Sequence, residues 1–148
     1  MNESSSQLQF MITHAPASLV ILILTIGASA LAFRSGSIAD RLLLFPWKIL
    51  RENQYERILT YGFIHADLMH LLFNLIALYS VSMYLEAVAG TARFLVIYLG
   101  SMVFAALPPV FRHRNNEDYR ALGASGAVSA LFFSGMLYFP TAKVMILF

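Results

Sequence analysis

Long apolar runs, separated by charged loops, constrain this chain more than any other feature of its sequence. Residues 16–33 contain no charged side chain, and about 18–20 apolar residues are enough for a helix to cross a bilayer. Runs of similar length cover residues 69–85, 94–111 and 122–139. Hydrocarbon offers no hydrogen-bond partner to the backbone, so each run is expected to be helical. The pattern predicts an all-α, polytopic membrane bundle with four complete transmembrane helices.

The segments around these runs predict how the single membrane domain, residues 1–148, is organised. Residues 1–15 form a polar tail without Lys or Arg, so the first run is expected to be a retained span, not a secretory signal peptide. Residues 34–68 are charged and aromatic, with a short apolar stretch around Trp47 and Lys48, which favours an interfacial loop. A fifth span would begin near Lys143. The domain is therefore expected to be incomplete at its C-terminal end.

The overall composition excludes several classes of function. Hydrophobic residues make up 59% of the chain and charged residues only 12%, whereas soluble domains have about 25% charged residues. The chain has no cysteine and a net charge of +2, so neither a disulfide framework nor a nucleic-acid partner is predicted. His65 and His70 are five residues apart and diverge on a helix, so they do not predict a metal site. No cofactor is expected.

Three polar residues inside the apolar runs are candidates for chemistry. His70 and Asn74 are four residues apart and so share one face of the predicted second span. Ser125 lies between Gly123 and Gly126 at the start of the fourth run. Taken alone, this serine is more typical of close helix packing, because small residues at such spacing let helix backbones approach in lipid. Polar side chains in a span are costly and therefore often functional.

Considered together, these residues suit acyl transfer. A serine nucleophile needs a general base, and the oxyanion that develops on the substrate needs hydrogen-bond donors. His70 and Asn74 could supply such donors. The free backbone N–H groups at the start of the Ser125 helix could supply more.

The chain at this point resembles the rhomboid family of intramembrane serine proteases. The resemblance rests on "HADLMHLLFN" (residues 65–74), on "GASGAVSA" (residues 123–130) and on "YERILTYGFIH" (residues 55–65). It also includes Glu86 and Gly90 at the turn after the second span.

The resemblance implies a Ser–His dyad in which Ser125 is the nucleophile and a histidine on a sixth span is the base. It implies oxyanion roles for His70 and Asn74, and structural or motif roles for His65, Arg57, Glu86, Gly123 and Gly126. The implied partners are transmembrane protein substrates and the lipid bilayer, and the implied location is the plasma membrane of a bacterium.

The chain departs from the family pattern in three places. Glu56 stands where a tryptophan often precedes the arginine, and Ser129 stands where some relatives have a tyrosine beneath the base. No histidine lies in a glycine-rich later span, and neither His14 nor His113 is expected to replace it. The 148-residue chain is therefore expected to be inactive alone.

Alternative functions remain open on the sequence. The second hypothesis is a non-catalytic rhomboid-like protein that binds membrane helices. A small transporter component is disfavoured, because the spans show no inverted repeat and no intramembrane acid for ion coupling. Orientation is also open. Eight of the ten Lys and Arg residues fall in the first and third loops, which by the positive-inside rule would be cytoplasmic, whereas the family arrangement is the reverse.

Overall fold

Helices form the regular structure of residues 3–140, the part of the chain that the computed structural model describes, with side chains from residue 5 onward. In chain order they are α1 (Glu3–His14), α2 (Pro16–Arg34), α3 (Gly36–Leu42), α4 (Pro46–Arg51), α5 (Arg57–Thr60), α6 (Leu68–Ala89), α7 (Thr91–Arg112) and α8 (Ser125–Tyr138). A 3-10 turn covers Tyr61–Phe63, and an isolated antiparallel bridge joins Leu44 to Ala121. The predicted all-helical class is confirmed for these residues.

Three helices of the described part are long and apolar enough to cross a membrane. They are α2, α6 and α7, with 19, 22 and 22 residues. Large apolar side chains on their outer faces have no protein cover, such as Val96 and Phe104, which are 74% and 73% exposed. Such faces are suited to lipid, so the prediction of a membrane bundle agrees with the fold.

The fourth predicted span is shorter than expected. Helix α8 has 14 residues, which corresponds to about 21 Å against a hydrocarbon core of about 30 Å. The difference arises mainly at its start, because Gly123 has a φ of 109° and cannot continue a right-handed helix upstream. A count of four complete spans is therefore not reached by length alone. The predicted start of a fifth span, at Lys143, lies outside the described residues.

The segments outside the spans are more ordered than their sequences indicated. The predicted polar tail forms helix α1, which packs against the core of the bundle through Phe10 and Met11. The predicted interfacial loop contains three short helices, α3 to α5, with Pro46 at the start of α4. Proline is well placed there, since its ring presets φ and it needs no hydrogen-bond donor in the first turn.

Helix α8 packs closely between α6 and α7. A Cβ added to Gly126 would lie 2.6 Å from the Cβ of Ala105 on α7, and one added to Gly135 would lie 3.2 Å from Val81 on α6. These glycines therefore allow the backbones to approach, as small residues do in membrane bundles. The packing interpretation of the small residues and the candidate site thus coexist on one helix.

Helix α2 connects the two ends of the bundle. Near its start, the Ser18 hydroxyl donates to the Glu86 carboxylate at the end of α6. Near its other end, Ser29 contacts His65 just before α6 begins. The start of α8 lies beside His65, so Ser125 and Glu86 belong to opposite ends of the bundle.

Candidate active site

Ser125 is the first residue of α8, and its side chain is exposed. The preceding Ala124 is buried and provides no side-chain cap. The first N–H groups of a helix have no intrahelical partner, and the positive end of the helix dipole favours negative charge. The position therefore combines an accessible hydroxyl with backbone donors.

Gly123 brings His70 next to this turn. A Cβ at Gly123 would lie 2.9 Å from Cε1 and 3.1 Å from Nε2 of His70. The φ of 109° at Gly123 is also one that side-chain-bearing residues rarely adopt. The backbone conformation and the contact with His70 therefore each require glycine at this position.

His65 is buried beside the turn before Ser125, and both of its ring nitrogens take part in hydrogen bonds. Its Nε2 accepts a long hydrogen bond, 3.5 Å, from the backbone N–H of Ala124. A backbone N–H can only donate, so the ring proton is on Nδ1 and points to the Ser29 hydroxyl at 3.1 Å. Ser29 in turn donates to the Phe63 carbonyl. His65 therefore connects α2, the first loop and the serine turn.

The environment of His65 keeps it neutral. Burial, and to a smaller extent the nearby His70, lower the pKa of its imidazole from 6.5 to about 4, although Asp67 acts in the opposite direction. The two histidine rings meet edge to face, with centroids 4.9 Å apart. A neutral imidazole that is hydrogen-bonded at both ring nitrogens suits a positioning role better than proton transfer.

Asn74 lies one turn after His70 on α6 and is buried. Its Nδ2 donates to the His70 carbonyl at 2.9 Å. An amide nitrogen has two hydrogens, so one remains for another acceptor. Helix α6 is started by Asp67, whose carboxylate accepts from the His70 backbone N–H at 2.8 Å. The predicted common face of His70 and Asn74 is therefore present.

Within residues 3–140, no side chain is hydrogen-bonded to the Ser125 hydroxyl. His14 is in the last turn of α1, at the other end of the bundle. The His113 ring stacks on Tyr119 in the loop after α7, with centroids 3.7 Å apart. In the same described range, no group of three or more His, Cys, Asp or Glu side chains is arranged to bind a metal ion.

Comparison with known proteins decides the family. Residues 52–148, about two thirds of the chain, match the model of the Rhomboid domain. The chain belongs to the rhomboid family.

Individual rhomboid relatives match a shorter region. "Putative rhomboid protease YdcA" of Bacillus subtilis is 35% identical over 80 residues, which cover 54% of this chain and 39% of the relative. "Rhomboid protease GluP" of the same organism is 35% identical over 81 residues, 54% of this chain and 15% of the relative. "Inactive RHOMBOID-like protein 8" of Arabidopsis thaliana is 38% identical over 82 residues, which cover 55% of this chain and 23% of the relative. The matches thus span well under half of each relative's length.

Glu86 and Arg57, for which the resemblance implied motif or structural roles, are buried and make several hydrogen bonds. Glu86, 1% exposed, accepts hydrogen bonds from the backbone N–H groups of Ala17 and Ser18 and from the Ser18 and Thr91 hydroxyls. It caps α2 and fastens the turn between α6 and α7. Arg57, 3% exposed, donates to the carbonyls of Asp40 and Leu43 and to the Gln54 amide oxygen. It fastens the loop between α2 and α6.

Sequence reasoning did not identify several residues that support the site. Ser29 orients His65, the Tyr61 carbonyl accepts the Gly123 N–H at 2.9 Å, and Phe45 lies under Arg120. One signal was present in the sequence. Ser18, Thr25 and Ser29 recur seven and four residues apart, so they mark one face of α2 in an otherwise apolar span. Tyr61 and Phe45 had no such signal, because their contacts cross between distant loops.

Proposed function

We propose that this chain carries the nucleophile and the oxyanion-binding groups of an intramembrane serine endopeptidase that cleaves transmembrane segments of membrane proteins. One observation supports this most directly. An exposed serine begins a helix beside a glycine that has the His70 ring against it, with Asn74 one turn further along α6. Membership of the rhomboid family supports the same class of reaction.

The proposed chemistry assigns each group a step. The Ser125 hydroxyl oxygen attacks the scissile carbonyl carbon, and its proton passes to a general base. The oxygen of the tetrahedral intermediate accepts hydrogen bonds from the Ser125 backbone N–H, His70 and Asn74. The peptide C–N bond breaks, the protonated base gives its proton to the leaving amine, and water then hydrolyses the acyl-enzyme.

The family resemblance implies a histidine of a further span as the general base, and the proposal gives this role to none of the four histidines of the printed sequence. His65 is held neutral in the interior, and His14 and His113 lie in other parts of the fold. Nucleophile and base act as a unit in serine hydrolases, so the described part alone would be inactive.

The proposed location is a bacterial plasma membrane, with α8 as a fourth crossing that begins below the membrane surface. Its length of about 21 Å suits a helix whose first residue lies inside the bilayer. Two relatives from Bacillus subtilis support a bacterial setting.

A second candidate function is binding of membrane helices without cleavage. It is favoured by the relative named as inactive.

The deciding experiment compares Ser125→Ala with Ser134→Ala in the protein as its gene encodes it, reconstituted in liposomes with a membrane-spanning substrate. Ser134 is a half-buried serine further along α8 and serves as the matched control. Ser125→Ala should reduce cleavage by roughly 10,000-fold and retain substrate capture. Ser134→Ala should cleave normally. Capture without cleavage by the unmodified protein would favour the binding function, and normal cleavage by Ser125→Ala would exclude this nucleophile.

A further inference from the structure

The turn before Ser125 is held by loop residues that are distant in the chain. Ala121 exchanges two backbone hydrogen bonds with Leu44, at 2.9 and 3.1 Å. Gly123 donates to the Tyr61 carbonyl at 2.9 Å. Residues 119–124 contain no helix of their own. The position of the nucleophile therefore depends on how this short extended segment pairs with the first loop.

Backbone bonds alone do not specify which residues pair. A shift of an extended segment by one residue would move the adjoining start of α8 by about 3.3 Å and turn the side chains of the segment to the opposite face. A displacement of about 1 Å is enough to disturb a reacting group. A side-chain contact across the pairing can therefore help to select the register that places Gly123 against His70.

Arg120 makes such a contact. In an antiparallel pairing of Leu44 with Ala121, the next position places Phe45 opposite Arg120, where side chains come closest. The Arg120 guanidinium carbon lies 3.2 Å from the centroid of the Phe45 ring, whose residue is only 3% exposed. This is a close cation–π contact between a loop arginine and a buried ring.

Further polar contacts hold the guanidinium in place. Its Nη1 donates to the carbonyls of Glu117 and Tyr119, and its Nε lies 3.9 Å from the Asp40 carboxylate. Asp40 also pairs with Lys48, at 3.5 Å, and the Lys48 ammonium lies 5.3 Å from the same Phe45 ring. The ion pairs are half-exposed and weak, so the stacking on Phe45 is the specific element.

We propose that Arg120 is a positioning residue for Ser125: stacked on Phe45 across the Leu44–Ala121 bridge, it fixes the register of the turn that presents the serine. The expected effect of Arg120 on the rate of cleavage rests on the proposed peptidase function. Its expected effect on the pairing of the two loops does not, because that pairing can be measured without any activity.

The test compares Arg120→Ala, Arg120→Lys and Arg114→Ala in the protein as its gene encodes it. Arg114 is an exposed arginine of the same loop and provides the control. Arg120→Ala should lower kcat by roughly 10- to 100-fold with little change in KM, because the nucleophile is displaced from its working position. Arg120→Lys should recover part of the rate, since an ammonium can also lie over the ring. Arg114→Ala should match the unmodified protein.

Hydrogen–deuterium exchange at the amides of Ala121 and Gly123 provides the independent readout. Exchange there should be several-fold faster in Arg120→Ala and unchanged in Arg114→Ala, while the amides of α2 stay protected in both. If the unmodified protein cleaves nothing, the exchange result alone decides the proposal. Unchanged exchange at both amides would overturn it, and so would a kcat for Arg120→Ala equal to that of Arg114→Ala in an active protein. A loss of protection throughout α2 would show a general folding role instead and would also overturn it.

Discussion

Gly123 is the residue at which backbone conformation and site geometry meet. An alanine there would keep φ near 109° only under strain and would place its Cβ 2.9 Å from the His70 ring. We expect Gly123→Ala to lower the free energy of unfolding by about 1–3 kcal/mol and to abolish any cleavage. Denaturant unfolding in detergent micelles measures the first effect.

Gly27 provides the opposite case for comparison. It lies within α2, and a Cβ there would meet no atom within 4 Å. Gly27→Ala should therefore raise the free energy of unfolding by about 0.5–1 kcal/mol, since alanine favours helix. Equal effects of the two substitutions would contradict the special role of Gly123.

His65 predicts a pH dependence of stability. Its pKa in the folded protein is about 4, against an ordinary value of 6.5. Between pH 6.5 and pH 4, His65 binds a proton in the unfolded chain but stays neutral in the folded protein. The free energy of unfolding therefore falls as the pH is lowered from 6.5 towards 4. The slope for this group is at most about 1.4 kcal/mol per pH unit.

Comparison with His65→Gln isolates this contribution. Glutamine cannot titrate, so the variant should be less stable than the unmodified protein at pH 7 but should lose less stability as the pH falls. Thermal unfolding from pH 7 to pH 4.5 measures both quantities. The same pH slope in the two proteins would show that His65 is not held neutral in the fold.

At the scale of helices, Glu86 joins three elements through four hydrogen bonds. Glu86→Ala leaves buried donors at the start of α2 unsatisfied and should cost about 2–4 kcal/mol of unfolding free energy. Glu86→Gln should cost less, because one oxygen still accepts. Glu117→Ala, on the exposed loop after α7, should change stability by at most about 0.5 kcal/mol. Unfolding in micelles compares the three, and equal losses for Glu86 and Glu117 would refute the role in joining helices.

At the scale of the whole molecule, the apolar outer faces predict which side chains meet lipid. The chain has no cysteine, so a single introduced thiol can be labelled uniquely. A spin label at Phe104→Cys, on the exposed face of α7, should collide with dissolved oxygen and not with a water-soluble nickel complex. A label at Asn115→Cys, on the loop after α7, should show the reverse. Strong nickel collisions at residue 104 would contradict the membrane arrangement.

The bounds of the long helices could be predicted closely from the sequence. Apolar runs at residues 16–33, 69–85 and 94–111 became α2, α6 and α7 with shifts of a few residues at the ends, because hydrocarbon enforces helix on such runs. Helix α8 was predicted three residues too early, since a positive φ at Gly123 is imposed by contacts with other segments. Helix α1 was missed because its sequence has no long apolar run and it is stabilised by packing of Phe10 and Met11 on the core.

The sequence by itself determined the membrane class, the spans, the rhomboid resemblance and the candidate residues Ser125, His70 and Asn74, because hydrophobicity and residue spacing are local properties. Only the tertiary structure decided how these residues meet. The contact of His70 with Gly123, the hydrogen bonds of His65 to Ser29 and Ala124, and the stacking of Arg120 on Phe45 join segments that are 36 to 75 residues apart. No local pattern encodes such contacts, since they depend on the register in which helices and loops pack against one another.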